Sequence, residues 1–474
     1  MIKRGDELVL EITDAAFEGK AIARYEGLVI FVENAVPGDV VIAKILKIKR
    51  KFAEAKIVRV EHLSNLRVEP QCKYFGVCGG CKWQNIDYKI QLQFKQQHVV
   101  DAFERIGGFS NLEILPIIGA KDIYYYRSKM EYSFSEMQWL TIKPSISELE
   151  VKREEELANV FLGLHVPQRY DKILDIHECH LQSTLSNNIL NATRTFVREN
   201  HLQVYNSETE NGYLRFLVIR ESKKTNEIMV NLVTASSNPE MMKAYAASIL
   251  NVCPEVTTIV NTINTKKAQV AFGEMEHVYH GNGYISEQIG GKRFVVSASS
   301  FFQTNVAQAE KLYQVAKDFG NFQPTDVVYD LYSGTGSIAI FISDNVKEVI
   351  GIESVESAIR DAEKNTASNG ISNCRFLLGD LKDRLTKDTD WMNHHPLPDA
   401  LIIDPPRSGM HPKVVKEILT LLPKRIVYVS CNPTTQARDV KLLCERDYRV
   451  IKIQPVDMFP HTYHIENVAL LHKC

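Results

Sequence analysis

The chain has 474 residues, of which 45% are hydrophobic and 24% are charged, and at this length we expect two or three domains rather than one core. Its 56 basic and 58 acidic residues give a formal net charge of −2, which excludes a polybasic chain that binds nucleic acid through bulk charge alone. The nine cysteines and the absence of a signal-like or bilayer-length apolar run predict a cytoplasmic protein without a disulfide scaffold or a membrane span.

Residues 5–60 predict a small β-barrel. Apolar and polar residues alternate in short runs, such as Glu7 to Ile12 and Asp39 to Ile48, and turn residues separate the runs. About five short strands in such a segment are typical of an OB-type barrel. Its last part carries seven basic residues against Glu54 alone: Lys44, Lys47, Lys49, Arg50, Lys51, Lys56 and Arg59. A solvated strand face and an RNA-contacting stripe both account for this charge, and we favour the RNA-contacting stripe.

Residues 63–295 predict a second, β-rich region. A helical segment from Tyr88 to Ile106 ends at two glycines, which is a good helix stop. Residues 123–295 are mostly strand-like, and the Glu-rich residues 141–160 are expected to form an exposed insertion.

From about residue 296, apolar strand runs alternate with amphipathic helices, which predicts a doubly wound, Rossmann-like parallel sheet and an α/β fold class. The predicted strands are Val327 to Leu331, Val349 to Glu353, Arg375 to Leu378, Ala400 to Asp404 and Ile426 to Ser430.

The first of these strands runs into the loop Gly334-Thr335-Gly336 and then into a helix. The acidic Glu353 ends the next strand, where a carboxylate can accept both hydroxyls of a ribose, and Gly379-Asp380 follows the third strand. The third glycine of the dinucleotide fingerprint is missing, so an adenosyl ligand without a pyrophosphate is favoured over a NAD-type ligand or a merely tight turn. S-adenosylmethionine fits this description.

The fourth strand ends in Asp404-Pro405-Pro406-Arg407, and the fifth is followed by Cys431. Both tips are expected at the edge of the sheet that holds the donor. A cysteine at a strand end near a bound sulfonium cation is placed to form a thiolate nucleophile, although an inert packing cysteine is the alternative.

Together these motifs resemble the RNA uracil-5 methyltransferases. The matching stretches are Phe301-Phe302-Gln303-Thr304-Asn305, Asp330 to Gly336, Asp404 to Gly409, Ser430-Cys431-Asn432-Pro433 and His464 to Leu471. The resemblance implies donor-binding roles for five residues: Gln303, Tyr332, Glu353, Asp380 and Asp404. It also implies that Cys431 is the nucleophile and Glu466 the general base.

The chemistry of this family explains those residue types. A thiolate must add to C6 of uracil before C5 can accept a methyl group, and a base must then remove the C5 proton. Adenine methylation is disfavoured because Arg407 stands where those enzymes commonly carry an aromatic ring. Cytosine-5 methylation of RNA is disfavoured because Pro406 is followed by Arg407 and not by cysteine.

A second group of cysteines has the pattern Cys72-x5-Cys78-Gly79-Gly80-Cys81, and Cys179 lies far downstream. Four thiolates suit zinc and an iron–sulfur cluster equally well, so spacing leaves both open. The resemblance to the ribosomal members of the family implies a [4Fe-4S] cluster on these four cysteines.

The resemblance divides the chain into an OB-like TRAM barrel (1–62), a β-rich RNA-binding domain with the cluster (63–295) and a methyltransferase domain (296–474). The barrel and the cysteine set together imply 23S rRNA as the substrate, because the tRNA branch is expected to lack both. Methylation of tRNA and a catalytically vestigial RNA-binding or RNA-folding factor are the alternatives. We expect a monomer with no membrane contact and no obligate protein partner.

Overall fold

The computed structural model describes residues 2–16, 18–139, 160–167, 169–387 and 395–474. The strands form a closed five-stranded barrel, a seven-stranded central sheet, a two-stranded hairpin and a seven-stranded C-terminal sheet. The predicted insertion at 141–160 lies, apart from its last residue, outside these ranges. Across the ranges that are described, no helix is both long enough and apolar enough to cross a membrane.

The N-terminal barrel confirms the OB-like prediction, with its strands joined in the order β1-β2-β3-β5-β4. Alternate side chains such as Leu10, Ile30 and Val41 fill its interior, as the period of two in the sequence requires. Of the seven predicted basic residues, all but the half-buried Lys44 are exposed. The five strands are β1 (Glu7–Ala15), β2 (Ala21–Tyr25), β3 (Leu28–Glu33), β4 (Val40–Ile48) and β5 (Phe52–His62).

One helix follows the barrel and packs against the C-terminal sheet rather than the central one. Helix α1 (Tyr88–Asp101) continues as a π-helical turn (Ala102–Gly107) and ends at Gly108, whose φ is 74°. Its apolar residues Val99 and Phe103 share a core with that sheet. The predicted helix from Tyr88 to Ile106 is therefore present, and it carries sequence-distant residues to the C-terminal sheet.

The central sheet has the order β12-β11-β10-β9-β6-β7-β8. Its strands are β6 (Lys129–Ser135), β7 (Phe161–Val166), β8 (Arg169–Asp175), β9 (Leu214–Glu221), β10 (Ile228–Thr234), β11 (Thr258–Ile263) and β12 (Met275–His280). Two helices that the sequence analysis did not predict, α2 (Thr184–Glu199) and α3 (Pro239–Val252), share a core with it. The capping residues Ser183 and Asn238 were the available signals, since each side chain accepts from a backbone N–H in the first turn.

A hairpin of β13 (Tyr284–Ile289) and β14 (Lys292–Ser297) precedes the C-terminal sheet. Its apolar residues Ile285 and Phe294 belong to the same core as that sheet. The domain limits at residues 62 and 295 remain predictions.

The C-terminal sheet has the order β17-β16-β15-β18-β19-β21-β20. Its strands are β15 (Val327–Leu331), β16 (Glu348–Glu353), β17 (Cys374–Leu378), β18 (Ala400–Ile403), β19 (Arg425–Ser430), β20 (Tyr448–Val456) and β21 (Glu466–Lys473). The helices are α4 (Val306–Gly320), α5 (Ser337–Ile342), α6 (Glu356–Ser368), α7 (Leu381–Lys387), α8 (Pro412–Leu421) and α9 (Pro433–Cys444), with a 3₁₀ turn at Ser343–Asn345.

The five predicted strands, β15 to β19, are parallel to one another, which confirms the Rossmann-like sheet. Strand β21 then runs antiparallel between β19 and β20. The sheet is therefore mixed, and β21 begins at the edge where the parallel strands end.

Packing beneath the glycine-rich loop leaves no room for a side chain at Gly351 of β16. A Cβ there would lie 2.5 Å from Cδ1 of Phe376 and 2.9 Å from Oγ of Ser333. We expect Gly351→Ala to lower the free energy of unfolding by about 1–3 kcal/mol through overpacking, measured as a lower urea midpoint. The same substitution should have a smaller effect in a Phe376→Leu background, and an equal effect there would contradict this explanation.

Candidate active site

The glycine-rich loop follows β15 in an unusual backbone conformation. Tyr332, Gly334 and Gly336 all have positive φ, at 65°, 54° and 72°. At Gly336 a Cβ would lie 2.6 Å from Cζ of Phe376, so packing requires glycine there. At Gly334 no described atom lies within 4 Å of such a Cβ. The loop is therefore tight on its inner side and open at Gly334, where a ligand can approach the backbone.

Glu353, at the end of β16, is fastened to this loop. Its Oε2 accepts from the N–H of Gly334 at 3.0 Å, and its Oε1 accepts from the N–H groups of Ser354 at 2.7 Å and Val355 at 2.9 Å. The carboxylate is half-buried and lies beside the open space at Gly334. Its position suits a hydrogen-bond acceptor for a bound polar group.

The exposed Asp380 lies at the end of the third strand. The N–H of Gly379 donates to the carbonyl of Glu353 at 2.8 Å, which ties this strand end to β16. Burial raises the pKa of Tyr332 to about 12, and the charge of Asp380 adds to the shift. Tyr332, Glu353 and Asp380 therefore face one region.

The segment that carries Gln303 contacts the loop through its backbone. The hydroxyl of Thr335 donates to the carbonyl of Phe301 at 3.5 Å, which joins the segment before α4 to the loop. Ser128 fastens the same segment, with its hydroxyl donating to the Gln303 carbonyl at 3.3 Å and its N–H to the Thr304 carbonyl at 2.7 Å.

Two carboxyl groups lie beneath the loop. Burial raises the pKa of Asp404 to about 7. Burial, together with the charges of Asp404 and Glu353, raises the pKa of Asp330 to about 8. Asp330 lies nearest the N–H of Ala339, and neither carboxyl oxygen makes a well-formed hydrogen bond to any described residue. The sequence analysis assigned no role to Asp330, although its position in an apolar strand was a signal.

The order of strands brings Cys431 and Glu466 together. In the antiparallel pair β19 and β21, Ser430 pairs with Asn467, so the register continued by one residue sets Cys431 against Glu466. Burial, followed by the charges of Glu466 and Asp404, raises the pKa of the Cys431 thiol to about 11. Burial and the charge of Asp404 raise the pKa of Glu466 well above its ordinary value.

Arg407 supplies positive charge to this pair. Its guanidinium lowers the pKa of both Cys431 and Glu466. Its Nη2 lies 3.4 Å from Nδ1 of His464, and burial together with Arg407 lowers the pKa of that histidine to about 4. His464 is therefore neutral, and Arg407 is the cation that opposes the local carboxylates. The sequence analysis used Arg407 only to separate families.

The seven sequence-predicted residues of the site thus lie at one edge of the C-terminal sheet. Asp404 lies close to both Cys431 and Glu466, because its charge contributes to the raised pKa of each. Their functional roles remain predictions.

The four predicted metal-ligating cysteines line a separate cavity of about 640 Å³. They are Cys72, Cys78, Cys81 and Cys179. Burial raises the pKa of Cys78 to about 11 and of Cys81 to about 12, and the neighbouring thiols add to both shifts.

Hydrogen-bond donors surround these sulfur atoms. The N–H of Gly80 donates to Sγ of Cys78 at 3.4 Å, and Nε2 of Gln84 donates to Sγ of Cys81 at 3.2 Å. All nine cysteines, which the structure describes in full, are free of disulfide bonds. Among the described residues, no three His, Cys, Asp or Glu side chains converge closely enough to hold a single metal ion.

The fold and the site define a Rossmann-like methyltransferase that carries an N-terminal barrel. The sequence matches the model of the tRNA (Uracil-5-)-methyltransferases over residues 222–474 and that of the TRAM domain over residues 3–58. The chain belongs to the tRNA (uracil-5-)-methyltransferase family, and it is an RNA methyltransferase.

Relatives are similar along nearly their whole length. An uncharacterized RNA methyltransferase from Porphyromonas gingivalis is 43% identical, with 98% of this chain and 99% of the relative aligned. Another from Bacteroides thetaiotaomicron is 45% identical over 96% of this chain and 99% of the relative. The structure of Pyrococcus abyssi tRNA (uracil-54, C5)-methyltransferase in complex with S-adenosyl-L-homocysteine matches with a TM-score of 0.73 at 28% identity, covering 98% of this chain and all of that one.

Replacing Arg407 with glutamine is expected to raise the pKa of Cys431, because the opposing cation is lost while Glu466 and Asp404 remain. At a fixed pH of about 8.5, alkylation of Cys431 by iodoacetamide should slow by about three- to tenfold, since less thiolate is present. Peptide mass spectrometry measures the rate at this one cysteine.

Lys416→Gln is the matched control for that substitution. It removes the same charge from an exposed position on α8 and should leave the rate unchanged. Faster alkylation of Cys431 in Arg407→Gln would contradict the electrostatic role of Arg407.

Proposed function

We propose that this protein transfers a methyl group from S-adenosylmethionine to C5 of a uridine in 23S rRNA. The observation that carries the proposal is the register of β19 and β21, which pairs Ser430 with Asn467 and so brings their neighbours Cys431 and Glu466 to the same edge of the sheet. A nucleophile and a base within reach of one substrate carbon are what C5 methylation requires.

The residues around the loop fit the donor. The open space at Gly334 admits a ligand, and the half-buried Glu353 offers carboxylate oxygens to ribose hydroxyls. We assign Tyr332, Asp380, Gln303 and Asp404 to donor binding, with Asp380 at the adenine. When bound, S-adenosylmethionine supplies an electrophilic methyl group on a positively charged sulfur.

Cys431 acts first in the proposed mechanism. Its thiolate forms a bond to C6 of the uracil, and the electron pair displaced from the C5–C6 double bond makes C5 nucleophilic. Carbon 5 takes the methyl group and still carries its own proton. Glu466 removes that proton, the C5–C6 double bond re-forms, and Cys431 leaves as a thiolate. Arg407 favours the thiolate form at both ends of the cycle.

Burial holds both reactive groups toward their protonated forms, which the positive charge of the donor would oppose. Burial raises the pKa of Glu466, which makes its carboxylate a stronger base toward a carbon-bound proton. Burial raises the pKa values of the carboxyls of Asp330 and Asp404 to about 8 and about 7. A cationic donor bound nearby would favour their ionised forms.

The substrate assignment has one strong competitor. The sequence analysis separated rRNA from tRNA enzymes by the expected absence of the barrel and cysteine set from the tRNA branch. The P. abyssi tRNA enzyme, however, aligns with 98% of this chain, so the barrel does not discriminate between them. The aligned part of the chain also contains the four cysteines, so 23S rRNA is supported only by the family resemblance, and tRNA is the second candidate. The intact Cys431 and Glu466 argue against a vestigial site.

We also propose that Cys72, Cys78, Cys81 and Cys179 hold a [4Fe-4S] cluster. All four thiols line one cavity, and the hydrogen-bond donors to Cys78 and Cys81 suit thiolate sulfur. Such a cluster would tie the loop to the start of α2, because the side chain of Asn187 accepts from the N–H of Cys179 at 2.9 Å. No step of the mechanism passes through it.

Purification without oxygen tests the cluster. We expect about four iron and four sulfide per chain, with both lost in Cys81→Ser and retained in Cys374→Ser, which alters a cysteine outside the cavity. One zinc and no iron in the wild-type protein would refute this choice.

Methyl transfer to separately transcribed, unmodified 23S rRNA and tRNA tests the function. The wild-type enzyme should convert a uridine of 23S rRNA to 5-methyluridine, detected by nucleoside mass spectrometry. Methylation of tRNA alone would overturn the ribosomal assignment and leave the chemistry intact.

Two variants test the mechanism in the same assay. Cys431→Ala should abolish both methyl transfer and the covalent RNA–protein adduct, because no sulfur remains to attack C6. Glu466→Gln should form the adduct and fail to release it. Cys444→Ala is the control and should behave as wild type. An active Cys431→Ala enzyme would exclude covalent catalysis by this thiol.

A further inference from the structure

The segment 457–465 joins β20 to β21 and leads directly into Glu466. It also carries His464, the neighbour of Arg407. Residues from three sequence-distant parts of the chain fasten this short segment, and none of them belongs to the site described above.

A buried ion pair holds its first residue. Lys95 of α1 and Asp457 are both fully buried, with Nζ 2.6 Å from Oδ1. Tyr88 donates to the other carboxylate oxygen at 2.7 Å. Lys95 also donates to the carbonyl of Phe459 at 3.1 Å. Because a buried carboxylate is unfavourable without such partners, α1 and the start of the segment are held in one relative position.

His461 is the most constrained residue of the segment. Its φ of 65° is positive, a conformation that a residue with a bulky side chain adopts only when its surroundings impose it. The Gln91 side chain accepts from the His461 N–H at 2.9 Å and lies 3.2 Å from the ring nitrogen Nδ1. The ring of Tyr124 packs on the imidazole with centroids 4.3 Å apart.

The cysteine loop supplies the remaining contacts of His461. The N–H groups of Lys82 and Trp83, which follow Cys81 directly, donate to the His461 carbonyl at 2.8 and 3.0 Å. Gln91 also donates to the carbonyls of Trp83 and Ile86, at 2.9 and 2.8 Å. One buried glutamine therefore joins the cysteine loop to the segment that leads into Glu466.

We propose that His461 and Gln91 are positioning residues for Glu466. The left-handed backbone at His461, held by Gln91 and the cysteine loop, directs the chain so that Glu466 enters β21 opposite Cys431. This inference rests on the proposed function, because it assigns Glu466 to removal of the C5 proton. It predicts that a change at His461 acts on adduct release, the step that needs Glu466, and spares adduct formation, which needs Cys431.

Two substitutions at His461 separate backbone conformation from side-chain chemistry. Asparagine tolerates positive φ, whereas the β-branched valine does not. In single-turnover reactions of the full chain with 23S rRNA or tRNA, whichever is methylated, His461→Val should form the adduct at the wild-type rate. Release should slow on the order of 10- to 100-fold. His461→Asn should release RNA at a rate much closer to wild type.

Gln91→Met provides a second route if His461→Val does not fold. It keeps the volume but removes the bonds to His461, and it should also slow release selectively. Gln97→Met is its control, because Gln97 lies exposed on the same helix. Among the described residues, its side chain forms a hydrogen bond with Asp101 only.

Equal slowing of adduct formation and release in these variants, or equally slow release in the Asn and Val variants, would overturn the positioning role. A wild-type enzyme that forms no adduct, or a Glu466→Gln enzyme that releases it normally, would instead refute the proposed function.

Discussion

The insertion of β21 between β19 and β20 is the constraint on which the site depends. In a wholly parallel sheet, consecutive strands cannot present their first and last residues at the same edge. An antiparallel strand beside β19 does so, because Glu466 begins β21 where Ser430 ends β19. Backbone hydrogen bonds therefore fix the strand ends that carry Cys431 and Glu466 relative to each other.

The same arrangement buries several acidic groups close together, and the protein compensates their charges only in part. Burial favours the protonated forms of four groups: Cys431, Glu466, Asp404 and Asp330. The charge of Asp404 adds to the pKa shifts of the other three. Arg407 opposes this for two of them. A pocket with excess negative charge is matched to a cationic donor, since a positive charge inside it would restore the ionised state of the carboxylates.

The barrel, the cysteine loop and α1 converge on the strand connection that precedes Glu466. Trp83 lies in a small core with the barrel residues Ala15 and Val36, and Tyr463 packs against it. Lys95 and Asp457 anchor the other end of the connection. The barrel and the cysteine loop, which the sequence analysis linked to RNA and metal binding, are thus packed against the connection that leads into the proposed catalytic base. We infer that they also support the position of that base.

The barrel and the five parallel strands could be predicted from the sequence alone, and the proposal of which residues react also came from it. Alternation and strand-end motifs are local, and a few residues are enough to identify a glycine-rich loop or a cysteine at a strand end. It did not indicate α2 and α3, whose amphipathic pattern lies within strand-rich sequence. Nor did it predict that Lys95, Gln91 and His461 form one buried network, that Asp330 is a buried carboxyl group with a raised pKa, or that Arg407 opposes the pKa shift of Cys431. Those properties arise from pairs separated by tens to hundreds of residues, and only tertiary packing decides which distant polar groups share a buried environment.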